Sequence, residues 1–441
     1  MKKIFAAILF AGAMSAFAQT AMPRFDISTA RNNGMGGTHV AYTDSVGSLL
    51  VNPAAMMRVR QVRYPPLSFS MHNPHLIFGM MGPLREAAAG NVSKLGDTAG
   101  TLREEEGKVS FGFGLNDLPL GFAWVANGFG FGVWETFFLE PSIVGTNILV
   151  DAHADVILPV GLAFRILHTD SHDVDAGVTV KPFIRALFSD RLKIIDLTED
   201  DADPSDSLSL PLIVGAGFDL GFMYRWDIGF SAGLTFSDIA TWGGVAKDFM
   251  GNASGAYYVP FSMNWGVAYD FRPARFWPDA HRVLTESNVV FAFDWRDFTN
   301  VFQQKDYTVR NAALGIGLGL EFSIIKIFKI RLGMNECLPA FGIGFDIGPV
   351  EIDLAYYGRE LGLEPGQLPV AVVTLSFAVR PEAKPRNWPW TRRSLVGLIK
   401  GKDESYLAKG SQQEPEEEQY PAAGDSAFQE PAAQDPAAEM D

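Results

Sequence analysis

Alternation with a period of two, with glycine on one side of it, constrains this chain more than any other feature. In ALGIGLGLEFS, Leu314, Ile316, Leu318, Leu320 and Phe322 share one face, and Gly315, Gly317, Gly319, Glu321 and Ser323 share the other. FGIGFDIG repeats the pattern, with Phe341, Ile343, Phe345 and Ile347 opposite Gly342, Gly344, Asp346 and Gly348. VEIDLAYY, VVFAFDWRDF and VTLSFAV alternate in the same way. Successive side chains of a strand point to opposite faces, so each run reads as a β-strand with one large apolar face and one small or charged face. A soluble sandwich also alternates, but its second face carries Lys, Thr, Glu and Gln. Glycine weakens a solvated strand, whereas on the inner wall of a barrel it makes room for a plug or a ligand passage. Large apolar residues facing out, with small or polar residues facing in, is the pattern of a membrane barrel.

Composition closes off the other routes across a membrane. After the leader no stretch is continuously apolar for the roughly 18 residues that mark a helical span. Only a helix or a closed barrel satisfies its backbone in lipid, so the expected class is all-β, a transmembrane antiparallel barrel. Alternating runs fall near 62–72, 107–116, 118–127, 129–140, 146–167, 173–188, 209–225, 227–238, 257–272, 287–298, 311–324, 326–335, 339–348, 350–358 and 367–380. Because some share one strand, they predict about 14 strands. The polar segments 167–173, 197–208 and 279–287 are expected in long outer loops.

Both ends of the chain carry further information. Lys2 and Lys3, the apolar run from Ile4 to Ala13 and Ala16-Phe17-Ala18 have the layout of a secretory leader cleaved after Ala18. Such a leader sends the chain out of the cytoplasm, where the single cysteine, Cys337, rules out reliance on disulfides. Residues 19–58 are irregular and glycine-rich. They cannot face lipid and are expected to fill the lumen as a hatch, ahead of a barrel over 59–380. Gly34, Gly36 and Gly37 permit turns at positive φ, while Asn52 and Pro53 suit a fixed turn. Residues 381–409 form a basic amphipathic linker with Trp388, Trp390, Arg392 and Arg393, an interfacial anchor or a plain turn. From 410 to 441 the chain holds nine acidic residues and no basic ones. That disordered tail contributes 9 of the net 15 negative charges and either recruits a periplasmic carrier or simply solubilises.

The order Gly34-Met35-Gly36-Gly37, an Asp-containing stretch, then Asn52-Pro53-Ala54 resembles the amino-terminal hatch of the FadL/TodX family of outer-membrane transporters and its PorV-like relatives. Residues 293–298 and 330–362 look like carboxy-terminal strands of the same superfamily, and the likeness spans roughly residues 25–380. The family's fourth turn residue is glycine, where this chain has Ala55. The resemblance implies passive passage of long-chain fatty acids or similar apolar molecules through the outer membrane. The hatch residues Gly34, Met35, Gly36, Gly37, Asn52, Pro53 and Ala54 would shift, and the ligand would leave through the barrel wall. The alternatives are a PorV-like accessory barrel that docks a partner or secreted protein, and a general porin. The expected partners are an apolar small molecule and membrane lipid, with no nucleic acid, cofactor or enzymatic activity.

Other clusters admit two readings each. Phe111, Phe113, Trp124, Phe129, Phe131 and Trp134 suit either an apolar path or the lipid-facing surface. Asp294, Arg296 and Asp297 suit either a gating cluster in the lumen or ion pairs that hold the hatch to the wall. His168, Asp170, His172 and Asp173, and the acidic run from Glu199 to Asp206, lack the remaining ligands or register of a metal site and read as solvated loops.

Overall fold

The computed structural model describes residues 20–379, apart from 26, 28, 44, 64–66, 89–108, 111, 117–120, 127, 145–146, 194–208, 252–253, 300–309 and 348. The leader, the basic linker, the acidic tail, Phe111 and the 197–208 run lie outside the described residues.

Fourteen antiparallel strands close into a ring. They are β1 (Arg60–Arg63 and Leu67–His72), β2 (Val109–Ser110, Gly112–Asn116 and Phe122–Ala126), β3 (Phe129–Val144) and β4 (Asn147–Ile157 and Val160–His168). Then come β5 (His172–Lys193), β6 (Pro211–Trp226), β7 (Phe230–Ser237 and Trp242–Asp248), β8 (Ala256–Tyr258 and Ser262–Phe271) and β9 (Asn288–Trp295). The ring is completed by β10 (Ile316–Ile324), β11 (Phe328–Asn335), β12 (Leu338–Ile347), β13 (Val350–Glu360) and β14 (Pro369–Val379). Each strand pairs with its neighbours in sequence, and β14 returns to β1 in the register Val372↔His72 to Phe377↔Leu67. Closure removes the unpaired edge that an open sheet would present to lipid. The runs at 107–116 and 118–127 fall on one strand, β2, so the fifteen alternating runs resolve into fourteen strands.

Period two decides what each face meets. On β10, Leu318 and Phe322 are exposed while Glu321 is 2% exposed, and on β11 Leu332 is exposed while Arg331 is fully buried. The same inversion holds on β12 to β14, where Phe341, Phe345, Leu354 and Leu375 point outward and Asp353, Thr374 and Ser376 point inward. A soluble protein hides the first set. Here an outward apolar band surrounds a polar interior, which defines a transmembrane barrel. Phe113, Trp124, Phe129 and Phe131 belong to that outward set, with Trp124, Phe129 and Phe131 in mutual ring contact at 5.8 to 6.2 Å. They line no internal path. Of the aromatics named above, only Trp134 points inward among the described residues.

Strand direction sorts the connections into two ends. One end carries 127–128, 169–171, 227–229, 272–287, 325–327 and 348–349, and β1 starts and β14 finishes there. The other carries the long connections 73–108, 194–210 and 296–315. This corrects the expected placement of 167–173 and 279–287, which sit at the short-turn end. The correction has a simple cause, because loop polarity says nothing about strand parity, and parity decides the end. In the 169–171 turn, His168 Nδ1 lies 2.7 Å from Asp173 and His172 Nδ1 lies 2.9 Å from the Tyr224 hydroxyl, so separate partners engage the two histidines.

One long-loop-end connection is organised by a single carboxylate. Glu360, 1% exposed at the end of β13, accepts from the backbone N–H groups of Gly362, Gly366 and Leu368 at 2.8, 2.8 and 2.6 Å. Arg310 joins it to the 336–337 turn, donating to both Glu336 oxygens at 3.0 Å and to the Glu360 carbonyl. Burial alone would raise the Glu336 carboxyl, but the hydrogen bonds and charge of Arg310 outweigh it and hold the group below the ordinary range. A lowered folded value contributes stability above the ordinary glutamate pKa, and that stability is lost as pH falls through the lowered value. Protease access to 361–368 is therefore expected to stay closed near pH 5 and open under stronger acid. Arg310→Met should open the loop already at pH 7, and a loop equally protected in both proteins would refute this clasp.

Candidate functional site

Residues 20–59 run inside the ring and touch its inner face on nearly every side. The short helix α1 (Ala30–Gly34) starts at Thr29, whose hydroxyl accepts from Asn32 N at 3.3 Å. It ends where Gly36 and Gly37 take φ of +68° and +75°, the left-handed region that glycine enters without penalty. That turn presses on small residues of the wall. A methyl group on Gly34 would lie 2.9 Å from the Gly342 Cα, one on Gly317 would lie 2.5 Å from the Gly36 carbonyl oxygen, and one on Gly319 would lie 2.5 Å from that of Met35. Gly317 and Gly319 of β10, with Gly342 of β12, are therefore the seat of the Gly34-Met35-Gly36-Gly37 turn.

A second seat holds the proline motif. After α2 (Ser48–Val51), the fully buried Asn52 accepts from Ala54 N at 3.2 Å and so caps the 3-10 helix Pro53–Arg58. Its amide donates to the Val40 carbonyl at 3.0 Å and to the Phe222 carbonyl of β6 at 3.3 Å. One side chain thus ties two parts of the segment to each other and to the wall. Pro53 rests on Gly177 and Gly221, while Ala54 and Ala55 are fully buried against Met223. Ala55 occupies the 3-10 helix at negative φ, so the chain has no need of glycine there.

Charge fastens the remainder. Asp294, 1% exposed on β9, accepts from the backbone N–H groups of His39 and Val40 at 2.6 and 2.9 Å. Arg296 donates to Asn335 Oδ1 at 2.6 Å and packs over Gly37. Asp297, at φ +52°, pairs with Arg24 at 2.8 Å, and burial pushes its carboxyl up against the opposing pull of that guanidinium. The three neighbours do not pair with one another. Each meets a different point of the segment. Arg185, fully buried on β5, chelates Asp155 at 2.5 and 2.8 Å and donates to the Pro23 carbonyl. Arg31 joins Glu321 at 3.2 Å, and Arg331 bridges Glu321 and Asp353 at 2.7 and 2.6 Å. Arg24, Arg31, Arg185 and Arg331 escaped the sequence reading, although the inward parity of positions 185 and 331 was available to it.

The start of the segment also enters the wall. Thr20–Ala21 pairs in parallel with Tyr257–Tyr258 of β8, above the last β8–β9 rung at Trp265↔Trp295. Inside the ring the segment separates two cavities. The outer one, about 320 Å³, includes Arg24, Arg296, Asp297, Arg310 and Glu336 and lies toward the long-loop end. The inner one, about 60 Å³, includes Trp134, Glu351 and Ser376 and lies toward the short-turn end. They share Ile27, Asn32, Leu50 and Val51, which form the partition.

A closed ring of fourteen strands, an outward apolar band and an internally seated amino-terminal segment together define a filled transmembrane β-barrel. No family model and no curated protein matches the sequence. Among solved structures, the chain is similar in fold to the Pseudomonas putida toluene transporter TodX, at 10% identity over 80% of this chain and 98% of that one, with a TM-score of 0.41. It is similar as well to the Ralstonia pickettii toluene transporter TbuX, at 12% identity over 80% and 98%, TM-score 0.41. A Pseudomonas aeruginosa FadL homologue aligns at 10% identity over 82% and 99%, TM-score 0.44.

Proposed function

We propose that this chain is an outer-membrane channel for small hydrophobic molecules, long-chain fatty acids among them, in which residues 19–58 act as a hatch. The observation that carries this reading is the four-residue partition, Ile27, Asn32, Leu50 and Val51, between an outer and an inner cavity. A ligand in the outer chamber passes inward only if that partition moves, or leaves through the wall where Thr20–Ala21 occupies the free edge of β8. The motif resemblance supports the same reading, as does a leader ending at Ala18, which would deliver the chain across the inner membrane. The acidic tail beyond residue 410 would recruit a periplasmic carrier protein.

The charged lining of the outer chamber favours a second reading, the PorV-like accessory barrel, since an uninterrupted apolar groove is what a hydrocarbon path requires. One experiment separates the two. The backbone nitrogen of Ala30 lies 3.0 Å from Ser376 Oγ, so Ala30→Cys with Ser376→Cys, in a Cys337→Ser background, staples α1 to β14. Uptake of a labelled long-chain fatty acid by cells lacking their own channel is expected to stop when the staple is oxidised and to return on reduction. Equal uptake in both states would rule out hatch movement. No uptake by either, nor by the unaltered protein, would leave the docking barrel.

A further inference from the structure

The connection 272–287 is far longer than its end of the barrel requires. The other connections there take two or three residues, whereas this one takes sixteen. It also brings exposed apolar side chains with it, Phe276 at 53%, Trp277 at 56% and Leu284 at 45%. Its backbone closes on itself, through the 3-10 turn Pro273–Arg275 and the helical turn Arg282–Thr285. Phe276 N donates to the Pro273 carbonyl at 3.0 Å, Ala280 N to that of Trp277 at 3.2 Å and Leu284 N to that of His281 at 2.8 Å. A segment with its amides engaged internally can lie against lipid, which an open loop cannot. The aromatic pair continues the lipid-facing surface. On β8, Gly266 and Ala268 are buried toward the lumen, so Tyr269 and Phe271 have the outward parity, and Tyr269 lies opposite the exposed Phe291 of β9. Phe276 stacks on Phe271 at 5.4 Å, and Trp277 meets Phe276 and Phe271 at 6.0 and 6.4 Å. The far end of the segment returns to the same rim, where Ser287 Oγ accepts from Ile325 N at 3.3 Å beside the exposed Ile324. A soluble partner approaches this end along the barrel axis, whereas these rings are continuous with the band that lipid covers.

The charges of the segment leave one guanidinium available. Arg272 is held by Asp270 at 2.6 and 2.7 Å, and Arg282 by Glu286 at 2.8 Å. Arg275, exposed at the end of the 3-10 turn and next to Phe276, stands in no ion pair among the described residues. Asp279 is exposed as well and cancels Arg275 in net charge, so the segment attracts no anionic surface in bulk and any contact of Arg275 is local. A guanidinium beside a tryptophan at the edge of an apolar band suits the phosphate of a phospholipid whose acyl chains lie on the rings. We propose that 272–287 is a membrane foot, with Phe276 and Trp277 set among acyl chains and Arg275 on the phosphate of a phospholipid in the adjoining leaflet. This seating does not depend on whether the barrel conducts a ligand.

Two measurements on the full-length protein test it. A nitroxide at Trp277→Cys, in a Cys337→Ser background in phosphatidylglycerol vesicles, is expected to be relaxed by dissolved oxygen and shielded from an aqueous nickel chelate. The same label at Asp170→Cys, in the exposed 169–171 turn, should show the reverse. Equal access of the chelate to both labels would overturn the foot and leave 272–287 as a surface for a soluble partner. The second readout is lipid retained on the detergent-released protein, followed by native mass spectrometry. Dioleoylphosphatidylglycerol is expected to stay on the unaltered protein about fivefold more than on Arg275→Gln, the effect of one arginine at a lipid phosphate surface, while dioleoylglycerol stays equally on both. Equal retention of the phospholipid by both proteins would overturn the phosphate contact and leave only an aromatic girdle. Arg275 is exposed, so its replacement leaves the barrel intact, and the nitroxide result does not rely on that variant.

Discussion

Gly36→Val is expected to unseat the amino-terminal segment while leaving the barrel standing. The residue sits at φ +68°, where a β-branched side chain is strongly disfavoured, and its Cβ would overlap the Leu318 and Met334 backbone carbonyl oxygens. Left-handed strain of roughly 1–2 kcal/mol adds to overpacking of roughly 1–3 kcal/mol, neither relieved by a rotamer change because the obstacles are backbone. Trypsin should then cleave within residues 20–58 of the variant, at Arg24 and Arg31 first, while the barrel keeps its heat-dependent gel mobility. Gly82→Ala is the control. It lies in the helix Pro74–Ala88 with open space around it, so it should leave the segment protected. Full protection of both variants would mean that the Gly34-to-Gly37 turn is not packed on β10 and β11 as described.

The second large effect is expected at Arg331, which is fully buried and holds Glu321 and Asp353. Arg331→Met removes the cation and leaves two carboxylates confined in the lumen, with Arg31 still paired to Glu321. Breaking a buried pair by deleting one partner costs about 3–5 kcal/mol, most of it the uncompensated charge. Urea unfolding in lipid vesicles, followed by tryptophan fluorescence, measures it. Adding Glu321→Gln and Asp353→Asn to the variant should recover most of the loss, because the polar shapes remain while the stranded charges go. A single-variant loss below about 1 kcal/mol would show that water solvates these groups and that the lumen is wet at this level.

These two cases also show what could be read from residues alone. The glycine stripe of β10 was legible as an inner face, but not as the seat of a particular turn. Gly36 and Gly317 are brought together by closure of the ring, and nothing local to either residue encodes that meeting. Asp294, Arg296 and Asp297 stood out as neighbours in sequence, yet the structure sends them to His39 and Val40, to Asn335 and to Arg24. Phe129 and Phe131 have the composition of a lumen lining, and only their parity with the buried Gly130 and Gly132 assigns them to the lipid side. The turn at 169–171 looked like an outer loop because it is polar, whereas its end of the barrel follows from counting strands.

What the sequence determined by itself was the facing of each strand and the requirement for closure. A period of two assigns every other side chain to one face, and an outward face of Leu, Ile and Phe admits only lipid beyond it. Tertiary structure decided the order of contacts inside. Arg31 meets Glu321 across 290 residues of chain and Ala30 meets Ser376 across 346, so the seating of the segment and the partition arise only after the ring has closed. Alternation fixes direction along a strand. Which inward groups meet depends on register and shear, which belong to the closed barrel as a whole.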